Sequence, residues 1–183
     1  MGVYVVLLRA IGPATHKVMS MADWRGASED AGFLKPETYV ATGNMIVEAG
    51  GTLHEVTARM DAVVKRCGLG AGNKVFVRKP ATLRRLVKSN PFPDAATERP
   101  GQVGIYFMAR ARPYFGWVKD YDGSEPIHIE GNHLIVDHGD TEGQSQRLPG
   151  IIEKRSGPAT ARNWNTLQNL AQRATERERK SRE

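Results

Sequence analysis

The chain has a single cysteine, Cys67, among its 183 residues. No disulfide can form within it, and a lone thiol suits a reducing compartment. No apolar run reaches membrane-spanning length. The opening Met1-Gly2-Val3-Tyr4-Val5-Val6-Leu7-Leu8-Arg9 lacks a basic lead, and its apolar run is short for a signal peptide. Gly2 is not in a myristoylation context, because Val6 stands where Ser or Thr is needed. A cytoplasmic protein with no membrane partner is expected. Phosphate-loop motifs are missing too. Gly68-Leu69-Gly70-Ala71-Gly72 is glycine-rich, but it joins a helix to a strand, and a phosphate cradle normally precedes a helix. No nucleophile–base arrangement is present, and no motif calls for a cofactor.

The composition is that of an ordinary folded protein, 40% hydrophobic and 25% charged. The net charge of +6 is unevenly spread. Residues 59–88 hold nine basic side chains against Asp61 alone, whereas residues 115–146 hold seven acidic ones, Glu142 among them, against Lys119. A basic surface attracts phosphates, so a nucleic acid or a phosphate-bearing small molecule is the expected partner. Arg78, Arg84, Arg85 and Lys88 are the candidates for that surface. The plainer alternative is a solvated face on a protein of high pI.

Hydrophobic periodicity places the elements. Val3 to Leu8 reads as a buried strand, continuous and rich in β-branched residues. Ser20 is a natural N-cap for a helix with Met21, Trp24 and Ala27 or Ala31 on one face, stopping near Gly32. Thr38 to Ala41 and Met45 to Glu48 read as strands around a Gly43-Asn44 turn. Leu53, Val56, Met60, Val63, Val64 and Cys67 mark an amphipathic helix ending near Gly68. Lys74 to Arg78 reads as a strand. The order β-α-β-β-α-β is the ferredoxin-like split βαβ plan. A connecting helix through Leu83, Leu86 and Val87 ends at Asn90-Pro91-Phe92-Pro93, and Asp94 to Gly101 reads as a loop.

The pattern then recurs. Val103 to Met108 is a strand and Pro113 to Tyr121 a short helix. Ile127 to Ile129 and Leu134 to Val136 are strands around Gly131-Asn132. A helix follows through Leu148, Ile151 and Ile152 to Gly157. The fold expected is α+β, two ferredoxin-like subdomains from an internal β-α-β-β-α duplication, with an extra C-terminal helix. The subdomains would span 1–79 and 102–176, with a connecting helix and loop over 80–101. The second copy is expected to run directly into a helix from Asn163 to Ala174, with residues 177–183 a charged, frayed tail.

Two segments carry candidate ligand-binding residues. Arg162, Asn163, Trp164, Asn165 and Thr166 combine two amides, a guanidinium, an indole and a hydroxyl at a helix start. Asn163 can cap the helix, or Thr160 instead; Trp164 can stack a ring or anchor the core, and Arg162 can meet an anion. Arg9, His16 and Lys17 flank the loop after the first strand, and Asn44 stands in the first hairpin turn; all four are candidates. A metal is not expected. His128 and His133 share a hairpin face, but His138 points to the opposite one.

With these residues in view, the chain resembles the bacterial family known as domain of unknown function 1697. The resemblance rests on Leu7-Leu8-Arg9, Met21, Gly43-Asn44, Asn90-Pro91-Phe92 and the stretch from Pro158 through Ala159, Thr160, Ala161 and Arg162 to Asn163-Trp164-Asn165-Thr166. It implies two ferredoxin-like subdomains and supplies no reaction, substrate or cofactor. The chain departs from the family at the first turn, where Arg-Gly-Ile-Asn-Val-Gly-Gly is usual and Arg9-Ala10-Ile11-Gly12-Pro13-Ala14-Thr15 stands here.

Three functions compete on these grounds. The first is a binding protein for an anionic ligand. Its nucleic-acid form lacks the RRM signature: Val103-Gly104-Ile105-Tyr106-Phe107-Met108 has no leading basic residue and no paired aromatics, and Val75-Phe76-Val77 offers one ring. The second is an enzyme with a cleft between the subdomains. The third is a structural or oligomeric scaffold.

Overall fold

The computed structural model describes residues 1–140 and 147–183, so Glu142 of the acidic stretch lies outside the described residues. Among them the fold is mixed α+β, with two four-stranded antiparallel sheets and seven α-helices. The chain divides into two compact units, residues 1–84 with 170–183, and residues 85–169. No helix among the described residues is long and apolar enough to cross a membrane.

The first unit contains β1 (Gly2–Leu8), α1 (Pro13–His16), α2 (Met21–Asp30), β2 (Leu34–Thr38), β3 (Asn44–Ala49), α3 (Leu53–Arg66) and β4 (Val75–Arg78). Its strand order is β2-β3-β1-β4. β1 is central and buried on both faces, which is why it reads as a continuous apolar run. Tyr4, Val6 and Leu8 share a core with Trp24, Val56, Met60, Val63 and Val64 from the helices. Ser20 and Thr52 cap α2 and α3 through reciprocal bonds with Asp23 and Glu55. Each such cap stabilises its helix by about 1 kcal/mol.

One strand differs from the sequence expectation. β2 ends at Thr38 instead of starting there, and the Tyr39 N–H bonds the Asn44 carbonyl at 3.0 Å across a five-residue loop. Strand character therefore falls on Leu34-Lys35-Pro36-Glu37-Thr38, whose proline and exposed residues disguise it. An edge strand tolerates both, and a register shift between Leu34 and Glu37 accommodates the proline. Gly43 (φ +84°) brings that loop against the chain after β1. A Cβ there would lie 2.7 Å from the Ile11 side chain.

The second unit follows α4 (Pro80–Ser89), whose first turns belong to the first unit. It contains α5 (Pro93–Glu98), β5 (Val103–Met108), β6 (Ile127–Glu130), β7 (His133–Asp137), α6 (Arg147–Ser156), β8 (Ala159–Asn163) and the start of α7 (Trp164–Lys180). Its strand order, β6-β7-β5-β8, repeats that of the first sheet. The β6–β7 hairpin has the register expected from a two-residue turn, with Glu130 opposite His133 and His128 opposite Ile135.

Four expectations are corrected here. Asp94 to Gly101 is not a loop: it forms α5 and a 3-10 turn over Pro100–Gln102. Pro113 to Tyr121 supplies only a 3-10 turn, Gly116–Asp120. The second sheet does have a fourth strand, because Ala159-Thr160-Ala161-Arg162-Asn163 pairs with β5 over five positions. Alanine-rich and short, that strand is made by pairing and not by pattern. Finally, α7 runs to Lys180, so the charged residues from Glu176 to Lys180 are helical and only Ser181 to Glu183 lie beyond the helix.

The registers of the two sheets coincide. Leu8 faces Val75 and Val5 faces Arg78; Met108 faces Ala159 and Ile105 faces Arg162. Arg78 and Arg162 therefore hold the same position in their strands. Likewise Leu7 faces Asn44 and Phe107 faces His133. The two Gly-Asn pairs are consequently not equivalent: Asn44 matches His133, one residue beyond Asn132. A five-residue loop and a two-residue turn happen to carry the same dipeptide.

Candidate functional site

The candidates around the first loop lie in the first unit, where the His16 and Asn44 side chains and the Arg9 backbone hold that loop. The Arg9 N–H bonds the Lys74 carbonyl, and Asn73 Nδ2 donates to the carbonyls of Arg9 and Ala10. His16 Nε2 lies 2.7 Å from the Ala41 carbonyl, tying α1 to the β2–β3 loop. Asn44 is fully buried, and its Nδ2 donates to the Tyr39 carbonyl and to Thr42 Oγ1, both at 3.0 Å. Lys17 is exposed at the end of α1. The departure from the family's first-turn pattern thus falls on a short helix whose Thr15 hydroxyl bonds Gly12.

In the second unit Arg162 to Thr166 form a junction where β8 passes into α7 with no intervening loop. Asn163 is the N-cap, its Oδ1 accepting the Thr166 N–H at 2.9 Å. Trp164 is buried, and the Asn165 side chain is exposed while its carbonyl accepts from Asn169 Nδ2. Arg162 donates to Thr160 Oγ1 and the Ala161 carbonyl, and burial pulls its pKa down to about 10. It remains a cation at neutral pH.

The basic stretch does not form one surface. Arg78 is half-buried, and burial pulls its pKa down to about 10. Arg59 bonds the carbonyls of Gly50 and Ala31, Lys65 pairs with Asp61, and Lys79 lies over the Tyr4 ring. Arg85 pairs with Glu130 at 3.7 Å. Lys88 is exposed. Local carboxylates, carbonyls and rings have taken up much of the apparent excess.

Arg84 is different because of what lies beside it. In the first unit it donates to Thr175 Oγ1 at 3.1 Å and to Glu178 Oε2 at 2.8 Å. These residues, with Arg179, Arg182 and Glu183, line a groove of about 370 Å³. Thr175 and Arg179 fall at i and i+4 on α7, hence on one helical face, and Arg182 lies just beyond its end at Lys180. Among the described residues neither the Arg179 nor the Arg182 guanidinium has a hydrogen-bond or ion-pair partner. Two unsatisfied guanidinium groups beside a fixed third can grip a phosphate or sulfate group; the Thr175 hydroxyl proton is already given to the Ala171 carbonyl. A helical reading of Glu176 to Lys180 would have placed Arg179 on the face of Thr175 in the sequence.

Among the described residues, no three His, Cys, Asp or Glu side chains converge on a metal-sized position. The fold is similar to that of the conserved bacterial protein SP0830 from Streptococcus pneumoniae, with a TM-score of 0.74 at 15% sequence identity over 96% of this chain and 99% of that chain. At that identity the likeness speaks for the fold alone. No curated protein matches the sequence. Residues 1–134 match the family described as "Protein of unknown function (DUF1697)", a span that ends before the Arg162–Thr166 junction. The chain therefore belongs to the DUF1697 family.

Proposed function

We propose that the protein binds a small phosphate-bearing molecule in the groove lined by Arg84, Thr175, Arg179 and Arg182. The observation that carries this is the pair of unpartnered guanidinium groups beside an arginine already fixed by Thr175 and Glu178. A charge-assisted hydrogen bond from arginine to a phosphate oxygen contributes about 1.5–3 kcal/mol. The groove also contains Glu178 and Glu183, which oppose a long polyanion but can accept hydrogen bonds from hydroxyl or amino groups. No aromatic ring lines it, so base stacking is not part of the recognition. These features favour a phosphomonoester of a hydroxylated small molecule over nucleic acid. We further read both units as copies of one ferredoxin-like plan in a cytoplasmic protein; the coincident registers and the single thiol support that reading.

The test is calorimetric titration of the full chain with glycerol phosphate and, separately, with labelled single-stranded RNA at several salt concentrations. Saturable phosphomonoester binding, weakened roughly tenfold or more by Arg179→Ala with Arg182→Ala, is expected. Both side chains are exposed, so the double variant should keep its melting temperature. RNA binding with a steep salt dependence that survives the double variant would favour nucleic acid instead. No phosphomonoester binding at low salt would refute the reading.

A further inference from the structure

The second unit buries a cluster of titratable side chains. Tyr106, Glu125 and His138 are all at least nine-tenths buried, and Tyr121 is half-buried. Tyr106 Oη lies 3.1 Å from His138 Nε2, and the Tyr121 hydroxyl donates to Glu125 Oε2 at 2.5 Å. The His138 N–H bonds the Gln102 carbonyl at 2.9 Å, extending the β5–β7 ladder by one residue. Its ring occupies the space above Gly104, where a Cβ would stand 3.1 Å from Nε2. The ring's other nitrogen, Nδ1, is buried and has no hydrogen-bond partner among the described residues.

We propose that the Tyr106–His138 pair is an acid-released latch that fastens the end of β7 to β5 while the imidazole is neutral. Both nitrogens of a protonated imidazole are donors. With Nδ1 unpartnered, the neutral ring is the Nε2–H tautomer donating to the Tyr106 oxygen; a second proton would have to go to Nδ1, which is buried with no acceptor among the described residues. The added charge would also be desolvated. Groups from each neighbouring element bear on the ring. Glu125, ahead of β6, and Asp137, on β7, favour the cation, whereas burial opposes it and outweighs them, so the ring's pKa lies below the ordinary 6.5. Asp137 is largely engaged by Arg99. Tyr106 on β5 and Tyr121 after the 3-10 turn are both pushed up to about 12, chiefly by burial, and so stay neutral.

The sign follows from linkage. A histidine that is harder to protonate when folded contributes stability that is complete above the unfolded value near 6.5 and is lost as pH falls from there toward the folded value. The experiment is an NMR titration of the histidine Cε1 protons in the full chain, with His138 assigned by the His138→Gln spectrum, together with melting temperatures from pH 8 to pH 5. The expected result is a His138 resonance that titrates below 6.5, with a wild-type melting temperature that falls across this range more than that of His138→Gln. A His138 resonance titrating at or above 6.5 overturns the latch. So do parallel melting profiles for the two proteins. If the glutamine variant does not fold, Tyr106→Phe assigns the resonance through its shift, and the position of the titration decides alone.

Discussion

Asn44 illustrates how a polar residue that looks like a ligand contact can instead hold the chain. It is completely buried, and one amide serves a loop carbonyl and a loop hydroxyl across the β2–β3 connection. Asn44→Ala removes that donor and leaves the Tyr39 carbonyl short of a partner. A loss of about 1–3 kcal/mol is expected in urea unfolding, with phosphomonoester binding unchanged. Asn163 makes a smaller contribution. Its side chain satisfies one N–H at the start of α7, so Asn163→Ala should cost about 1 kcal/mol, and Asn163→Ser should recover most of it. Recovery with serine separates a capping role from a ligand contact, for which the shorter side chain would not suffice.

At the scale of elements, the C-terminal half of α7 shows what the sequence could and could not reveal. Trp164, Leu167, Leu170, Ala171 and Ala174 make the helical face plain, and all five are buried. Beyond them the residues are nearly all charged, and composition alone reads as a frayed end. What keeps this part helical lies far away in sequence. Glu37 on β2 accepts from Arg173 at 2.8 Å and from Arg177 at 2.5 Å, while Arg177 also donates to the Lys35 carbonyl on the same edge strand. The Arg173 guanidinium lies 4.9 Å from the centre of the Tyr39 ring. Such pairings are tertiary, and no local window contains them. The same blindness hid β2, whose Pro36 and exposed residues suit an edge strand, and β8, which exists by pairing with β5. It also hid the groove, since Arg179 and Arg182 become neighbours of Arg84 only once α7 is known to continue. Glu37→Ala is expected to destabilise the protein by about 1 kcal/mol at low salt and by less in 0.5 M salt, because the pairs are partly exposed. Equal losses at both salt concentrations would mean that the contribution is packing and not charge.

At the scale of the whole molecule, strongly patterned elements were legible, among them β1, α2, α3, β5 and the β6–β7 hairpin. Their apolar periodicity and caps are local properties. The apparent basic surface was not, because net charge along a sequence says nothing about which charges find partners after folding. Arg99 shows the cost of losing such a partner. It holds Asp137 through two hydrogen bonds, and the Gly139 N–H adds a third to the same carboxylate at 2.9 Å. The Arg99 guanidinium is the main reason that the Asp137 pKa lies below the usual carboxylate value. A carboxylate that is harder to protonate when folded contributes stability that is complete above its unfolded pKa, near 3.8, and is lost as pH falls through the folded value. This window lies well below the one assigned to His138, so the two can be resolved in one acid titration followed by circular dichroism. Arg99→Met removes the guanidinium, lets Asp137 protonate earlier, and should move the acid-unfolding midpoint to higher pH while leaving the change that begins near pH 6.5 in place. An unmoved midpoint would show that Asp137 is held down by its backbone bond alone.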